Sequence, residues 1–139
     1  EAEFRARHAI VLETYNKTVN IEALTMVDMA MHQILPAALR YTRDLCETAK
    51  AKMELGASCR AESELIQQLS NTTDDLYDSI ESLRHRLDAI PGDTVEASMA
   101  YRNTVVPIMA ELRRNADYLE QLTDKSYWPY PTYSDLLFY

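Results

Sequence analysis

Two glycines in 139 residues, Gly56 and Gly92, leave this chain few places to turn tightly. Soluble domains carry glycine at roughly 7%, and strands joined by short turns depend on it, so a sheet is disfavoured before any periodicity is considered. Both glycines fall where helical patterns break. "LGASCRAE" offers Gly56 as a left-handed stop for one helix and Ser58 as the N-cap of the next. "IPGDTVE" ends a second helix at Pro91 and Gly92, then supplies Asp93 as N-cap with Glu96 three residues on, the pattern of a capping box.

Between the breaks, Leu65, Leu69, Thr72, Leu76, Ile80, Leu83, Leu87 and Ile90 recur in steps of three and four, as one buried helical face requires. After Asp93 the series is Val105, Met109, Leu112, Ala116, Leu119. Everything before Gly56 reads as one helix with only Pro36 inside it. The expectation is a single all-α domain over 1–139: an antiparallel three-helix bundle with helices over about 2–55, 59–90 and 94–124 and a tail over 125–139. Pro36 and Pro107 each remove a helical donor, leaving the carbonyls of His32 and Asn103 unmet, and each predicts a kink.

At 1.5 Å per residue the first helix is about 80 Å long and the others about 45 Å, so its N-terminal half is expected to overhang. Short connections place Gly56 and the tail at one end of the bundle. The segment "ALTMVDMAMHQILPAAL", Ala23 to Leu39, is apolar on nearly all faces with Asp28 as its only formal charge, so the overhang is expected to need a cover from outside the chain. Met26, Met29, Ile34 and Leu35 are its docking candidates.

The tail differs in kind. "LTDKSYWPYPTYSDLLFY" concentrates the only Trp, four Tyr, a Phe and two Pro. Pro129 and Pro131 predict an extended, polyproline-like strip that docks Trp128, Tyr130, Tyr133, Leu136, Leu137 and Phe138 at small ordering cost.

The net charge of -8 disfavours nucleic acid and anionic membrane as partners. Cys46 and Cys59 form no C-x-x-C and read as reduced thiols of a cytoplasmic protein. No apolar stretch approaches a membrane span. The chain has neither G-x-x-x-x-G-K nor G-x-G-x-x-G for phosphate, and His8, His32 and His85 are dispersed. Asp28 with His32, and Glu81 with His85 and Asp88, stand a helical turn apart, but the Glu-x-x-His spacing of di-iron bundles is missing. "DSIESLRHRLD" reads as a solvated charged face with Glu81 supporting His85, and Asp28 with His32 as a polar interface pair. Arg113 and Arg114 beside Asp117 and Glu120 read as salt-bridged surface. No catalytic, cofactor-binding or metal-ligating residue is expected in this chain.

Four segments resemble one family in order and separation: "NIEA" at Asn20 to Ala23, "ILPAALRY" at Ile34 to Tyr41, "AYRNTVVPIMAELRRNADYLEQL" at Ala100 to Leu122, and the terminal "WPYPTYSDLLF". They are similar to the C-terminal region of type III glutamine synthetases. The resemblance implies a large oligomeric parent enzyme that joins ammonia to glutamate using ATP and divalent Mg or Mn. It also implies that the catalytic residues lie upstream, so this chain packs on the parent catalytic core and on neighbouring subunits, and that Glu1 is an excision point. The competing expectation is a freestanding helical adaptor binding a partner helix.

Overall fold

The computed structural model describes residues 1–137, with Tyr133 described by its backbone alone. Among them the secondary structure is helical, in six α-helices: α1 (Ala2–Met29), α2 (Leu35–Glu54), α3 (Arg60–Asp88), α4 (Thr94–Ala100), α5 (Val106–Leu122) and α6 (Tyr133–Leu137). Two π-helical turns, Ala30–Ile34 and Tyr101–Val105, join α1 to α2 and α4 to α5 without a break. The chain is all-α.

Both π turns answer a proline. In an α-helix the ring of Pro36 would strike the carbonyl of His32, and that carbonyl would lose its donor. The preceding turn is instead widened by one residue, with the Leu35 N–H bonded to the carbonyl of Ala30. Pro107 is met in the same way, the Val106 N–H reaching the carbonyl of Tyr101. A π turn thus begins before each proline, at the two places where a kink was expected.

At the first reversal Gly56 is left-handed, φ 72°. Its N–H bonds Met53 at 3.1 Å and the Ala57 N–H bonds Lys52 at 2.9 Å, the paired geometry of a Schellman stop. The next helix is capped at Cys59, one residue past the expected Ser58, and Cys59 supplies no side-chain cap. At the second reversal the Asp93 carboxylate accepts from the Glu96 N–H at 3.1 Å.

The core is one cluster. Leu69, Leu76, Ile80 and Leu83 of α3 are fully buried between Ala23, Ala30 and Ala38 on one side and Val105, Leu112 and Leu119 on the other. The alanines have no side chain beyond Cβ and let the helices approach closely. A polar node fixes α4 to α1: Asn16 donates to the Thr94 carbonyl at 3.1 Å and accepts from the Ser98 hydroxyl at 2.8 Å. Asn115 donates to Ser79 at 3.0 Å, tying α5 to α3.

These contacts correct the expected overhang. α4 begins beside Asn16, so the third helical rod is slid toward Glu1 and not aligned with the Gly56 end. Ala23, Val27, Ala30, Ile34, Leu35, Ala37 and Ala38 are consequently buried within this chain. Leu24 and Leu39 of that segment stay exposed, as do Phe4, Ile10 and Val11 at the projecting start of α1.

Candidate docking surface

The tail is built differently from the expected extended strip, and it sits elsewhere. After α5 the chain turns at Asp124, whose carboxylate accepts from the Ser126 N–H at 3.1 Å. Tyr127 then stacks obliquely on Tyr41, centroids 5.3 Å apart, and its hydroxyl donates to Asp44. Asp44 lies in mid-α2, well short of Gly56. The expectation that the tail meets the Gly56 end is therefore wrong, because α5 ends beside the middle of α2.

From Tyr127 the tail doubles back along the bundle. Trp128 and Tyr130 are half-buried and pack on the core cluster. Burial pushes the Tyr130 phenol above its ordinary pKa, and the charge of Asp28 adds to the shift. That places Tyr130 within electrostatic reach of α1. Thr132 and Asp135 then form a reciprocal capping box: the Thr132 N–H and hydroxyl each donate to the Asp135 carboxylate at 2.9 Å, and the Asp135 N–H donates to the Thr132 hydroxyl at 3.2 Å. This box starts α6, a helix where an extended strip was expected. Lys125 pairs with Asp135. That ion pair, with the two Thr132 bonds, holds the Asp135 carboxyl at about 2, below its ordinary 3.8.

The ten docking candidates thus divide. Ile34 and Leu35 are core residues, and Met26 packs against the core. Met29 is half-buried and, with Ile21, Met26, Ile34, Leu112 and Ala116, lines an open groove of about 350 Å³ between α1 and α5. Trp128 and Tyr130 are turned inward on this chain. Leu136 and Leu137 are turned out, 66% and 61% exposed. The side chain of Tyr133, and Phe138 altogether, lie outside the described residues.

Other expected pairs are rearranged. Asp28 and His32 stand 3.8 Å apart and both are well exposed, so this is surface and no interface is formed there within the chain. Arg84 donates to Glu81 at 3.2 Å, a pairing on that face other than the expected one of Glu81 with His85. Among the described residues no three His, Cys, Asp or Glu gather as a metal site would need. Cys46 and Cys59 are free thiols. Among the described residues no helix is long and apolar enough to cross a membrane.

One surface escaped the sequence reading. At the α2–α3 reversal Met53 and Leu55 stand out into solvent beside Ile66. Lys52 pairs with Glu62 beneath them and holds the Glu62 carboxyl below its ordinary range. The only available signal was "KMELGAS", where two large apolar residues flank a charge immediately before a glycine stop.

Comparison with known proteins gives this geometry a context. Residues 1–53 match the family model described as the glutamine synthetase C-terminal domain. Over 140 aligned residues the chain is 31% identical to a glutamine synthetase of Butyrivibrio fibrisolvens, covering 98% of this chain and 20% of the relative. It is 28% identical to a type-3 glutamine synthetase of Dictyostelium discoideum, covering 98% and 20%. With a glutamine synthetase of Bacteroides fragilis the identity is 29%, covering 99% and 20%. The chain spans about a fifth of the length of the curated relatives it matches.

Proposed function

We propose that this chain is the helical assembly element of a type III glutamine synthetase, because residues 1–53 match the model of the glutamine synthetase C-terminal domain and 98% of the chain aligns with a glutamine synthetase. In this reading the parent joins ammonia to glutamate with ATP hydrolysis. The nucleotide and the divalent metal are handled by the part of the protein upstream, and this domain packs on that catalytic body and on neighbouring subunits of a cytoplasmic oligomer. The observation that carries the reading is the likeness along 98% of this chain to relatives five times longer, one of them of type 3.

The architecture is suited to such a task. Its core is closed by its own helices and tail, so the fold does not depend on a partner for Ile34 or Leu35. Exposed apolar residues stand at both ends, Phe4, Ile10 and Val11 at the start of α1 and Met53 and Leu55 at the reversal, and also along the rods, as at Ile21, Leu24 and Leu39. Such surfaces on a folded domain are what association covers.

The test is the full-length reading frame. Expressed protein is expected to form glutamine from glutamate, ammonia and ATP, and removal of the segment from Glu1 onward is expected to lower the mass of the assembly in sedimentation. A full-length protein without ligase activity, or a start codon at Glu1, would overturn the reading. Calorimetry of this chain with ATP and magnesium is expected to show no micromolar site.

A further inference from the structure

The groove between α1 and α5 has a direction. α1 and the π turn after it line the groove from Ile21 to Ile34, about 20 Å of helix, whereas α5 contributes only Leu112, Arg113 and Ala116, about 6 Å. Asn16 bonds Thr94 and Ser98, 78 and 82 positions away, so the two rods are aligned at an offset of about 80 residues and Arg113 stands level with about residue 33. The short wall therefore faces the Ile34 end.

That end is closed by the tail. Tyr127 leaves the first rod beside Tyr41 and Asp44, and by Thr132 the chain has reached α5, where it borders a hollow with Asp117 and Gln121. Its crossing passes above Ala116. The result is a trough of about 350 Å³, stopped at its upper end and open toward Ile21. The same stop keeps a long partner helix from lying along it.

The chemistry of the trough has the same direction. Met26, Met29, Ile34, Leu112 and Ala116 make an apolar floor, and the two thioethers adapt to irregular shapes. Two charged residues border it. Glu22 lies at the open end, about 16 Å along α1 from the level of Arg113. Arg113 stands at the closed end, and among the described residues it forms no ion pair. Asp117, one turn on, does not take it: helical side chains lean toward the N-terminus, which carries Arg113 away from Asp117.

An unpaired guanidinium at the blind end of an apolar trough is complementary to a linear apolar body with one anionic head. A carboxylate suits it better than a phosphate monoester. One guanidinium balances one charge, and a second would stand unopposed in the field of Glu22, Asp28 and Asp117. We propose that this trough binds straight-chain apolar carboxylates, with the head on Arg113 and the alkyl chain laid along Ile34, Met29 and Met26 toward Ile21.

Calorimetry of this chain with hexanoate, octanoate and decanoate, each below its micelle concentration, tests the proposal. Affinity is expected to rise about two- to fourfold per added CH₂, the lower figure for a chain half covered by an open groove. Decanoate is expected to bind more tightly than decanol or decylamine. Arg113→Gln is expected to weaken decanoate about tenfold and to leave decanol unchanged. Met29→Glu is expected to remove decanoate binding, by setting a carboxylate against the ligand's own. Arg113 is exposed, so its variant decides the matter even where Met29→Glu disturbs the fold, and circular dichroism checks both. The methyl resonances of Met26 and Met29 are expected to shift on titration. Shifts at Met53 or Met99 in their place, equal binding by Arg113→Gln, tighter binding of the amine, or no binding at millimolar decanoate would overturn the inference.

Discussion

The hydroxyl of Tyr127 donates to the carboxylate of Asp44, joining residues 83 positions apart. This bond anchors the tail to mid-α2, and it raises the Tyr127 phenol above its ordinary pKa because deprotonation removes the donated proton and sets a phenolate against the Asp44 carboxylate. Its contribution is therefore complete below pH 10 and disappears as pH rises through the raised value. Tyr127→Phe is expected to loosen the tail at pH below that value, read as a red shift of Trp128 emission with helical content retained, and to match the parent above it.

Acid acts on the other end of the tail. The Asp135 carboxyl lies at about 2 in the fold against 3.8 when free, so its pairing with Lys125 and Thr132 contributes fully above pH 3.8 and is lost as pH falls toward 2. Limited proteolysis between Lys125 and Leu137 is expected to speed up across that window. Asp135→Asn is expected to bring the faster cleavage already at pH 7. Equal cleavage of both proteins at pH 7 would show that the pairing does not order the tail.

Trp128 is half-buried, not enclosed. Trp128→Ala is expected to cost about 2 to 3 kcal/mol, below the ~3 to 5 of a fully buried aromatic. Urea midpoints from circular dichroism check it. In the parent, Trp128 emission and the helical signal are expected to move at one midpoint, since the indole packs on the core cluster.

Leu35 and Met29 separate fold from surface. Leu35 is 9% exposed and part of the core, so Leu35→Glu buries a charge and is expected to unfold the domain or cost at least about 4 kcal/mol. Met29 borders the open groove, so Met29→Glu is expected to cost about 1 kcal/mol or less with the fold intact. Thermal melts of the two variants decide this.

The π turns allow an unusual deletion. Each holds one residue more than an α-turn at the same place needs. Removing exposed Gln33 together with Pro36→Ala is expected to leave a straight α-helix with both flanking faces in register and to cost under about 2 kcal/mol. Removing one residue from Glu47–Thr48 instead rotates the rest of α2 by a full residue step and is expected to cost much more. Comparable melting temperatures for the two deletions would refute the register argument.

Much of the fold was legible where burial has a period. Leu69, Thr72, Leu76, Ile80 and Leu83 were read from their steps of three and four, and they are buried. Gly56 was read as a left-handed stop from chemistry alone, because only glycine takes that φ without strain. Axial position was not legible. A helical face shows which residues are covered but not how far its partner has slid, so Ile34 and Leu35 were assigned to an outside cover that α3, α5 and the tail supply. Nor was the capping box of Thr132 and Asp135, since two prolines upstream dominated the reading of the tail. Leu55 went unnoticed because exposure at a turn is decided by where the third rod stops.

Asn16, bonded to both Thr94 and Ser98, bears on that same ambiguity. Aliphatic ridges fit one another nearly as well one helical turn up or down, so leucines and alanines alone would leave α1 and α4 a ladder of similar dockings. A carboxamide that finds its two partners at one rung only removes the others from competition. Its worth lies in uniqueness more than in free energy. A chain with Asn16 replaced by Leu would melt at much the same temperature yet give doubled amide resonances around Thr94, as two neighbouring alignments became equally good.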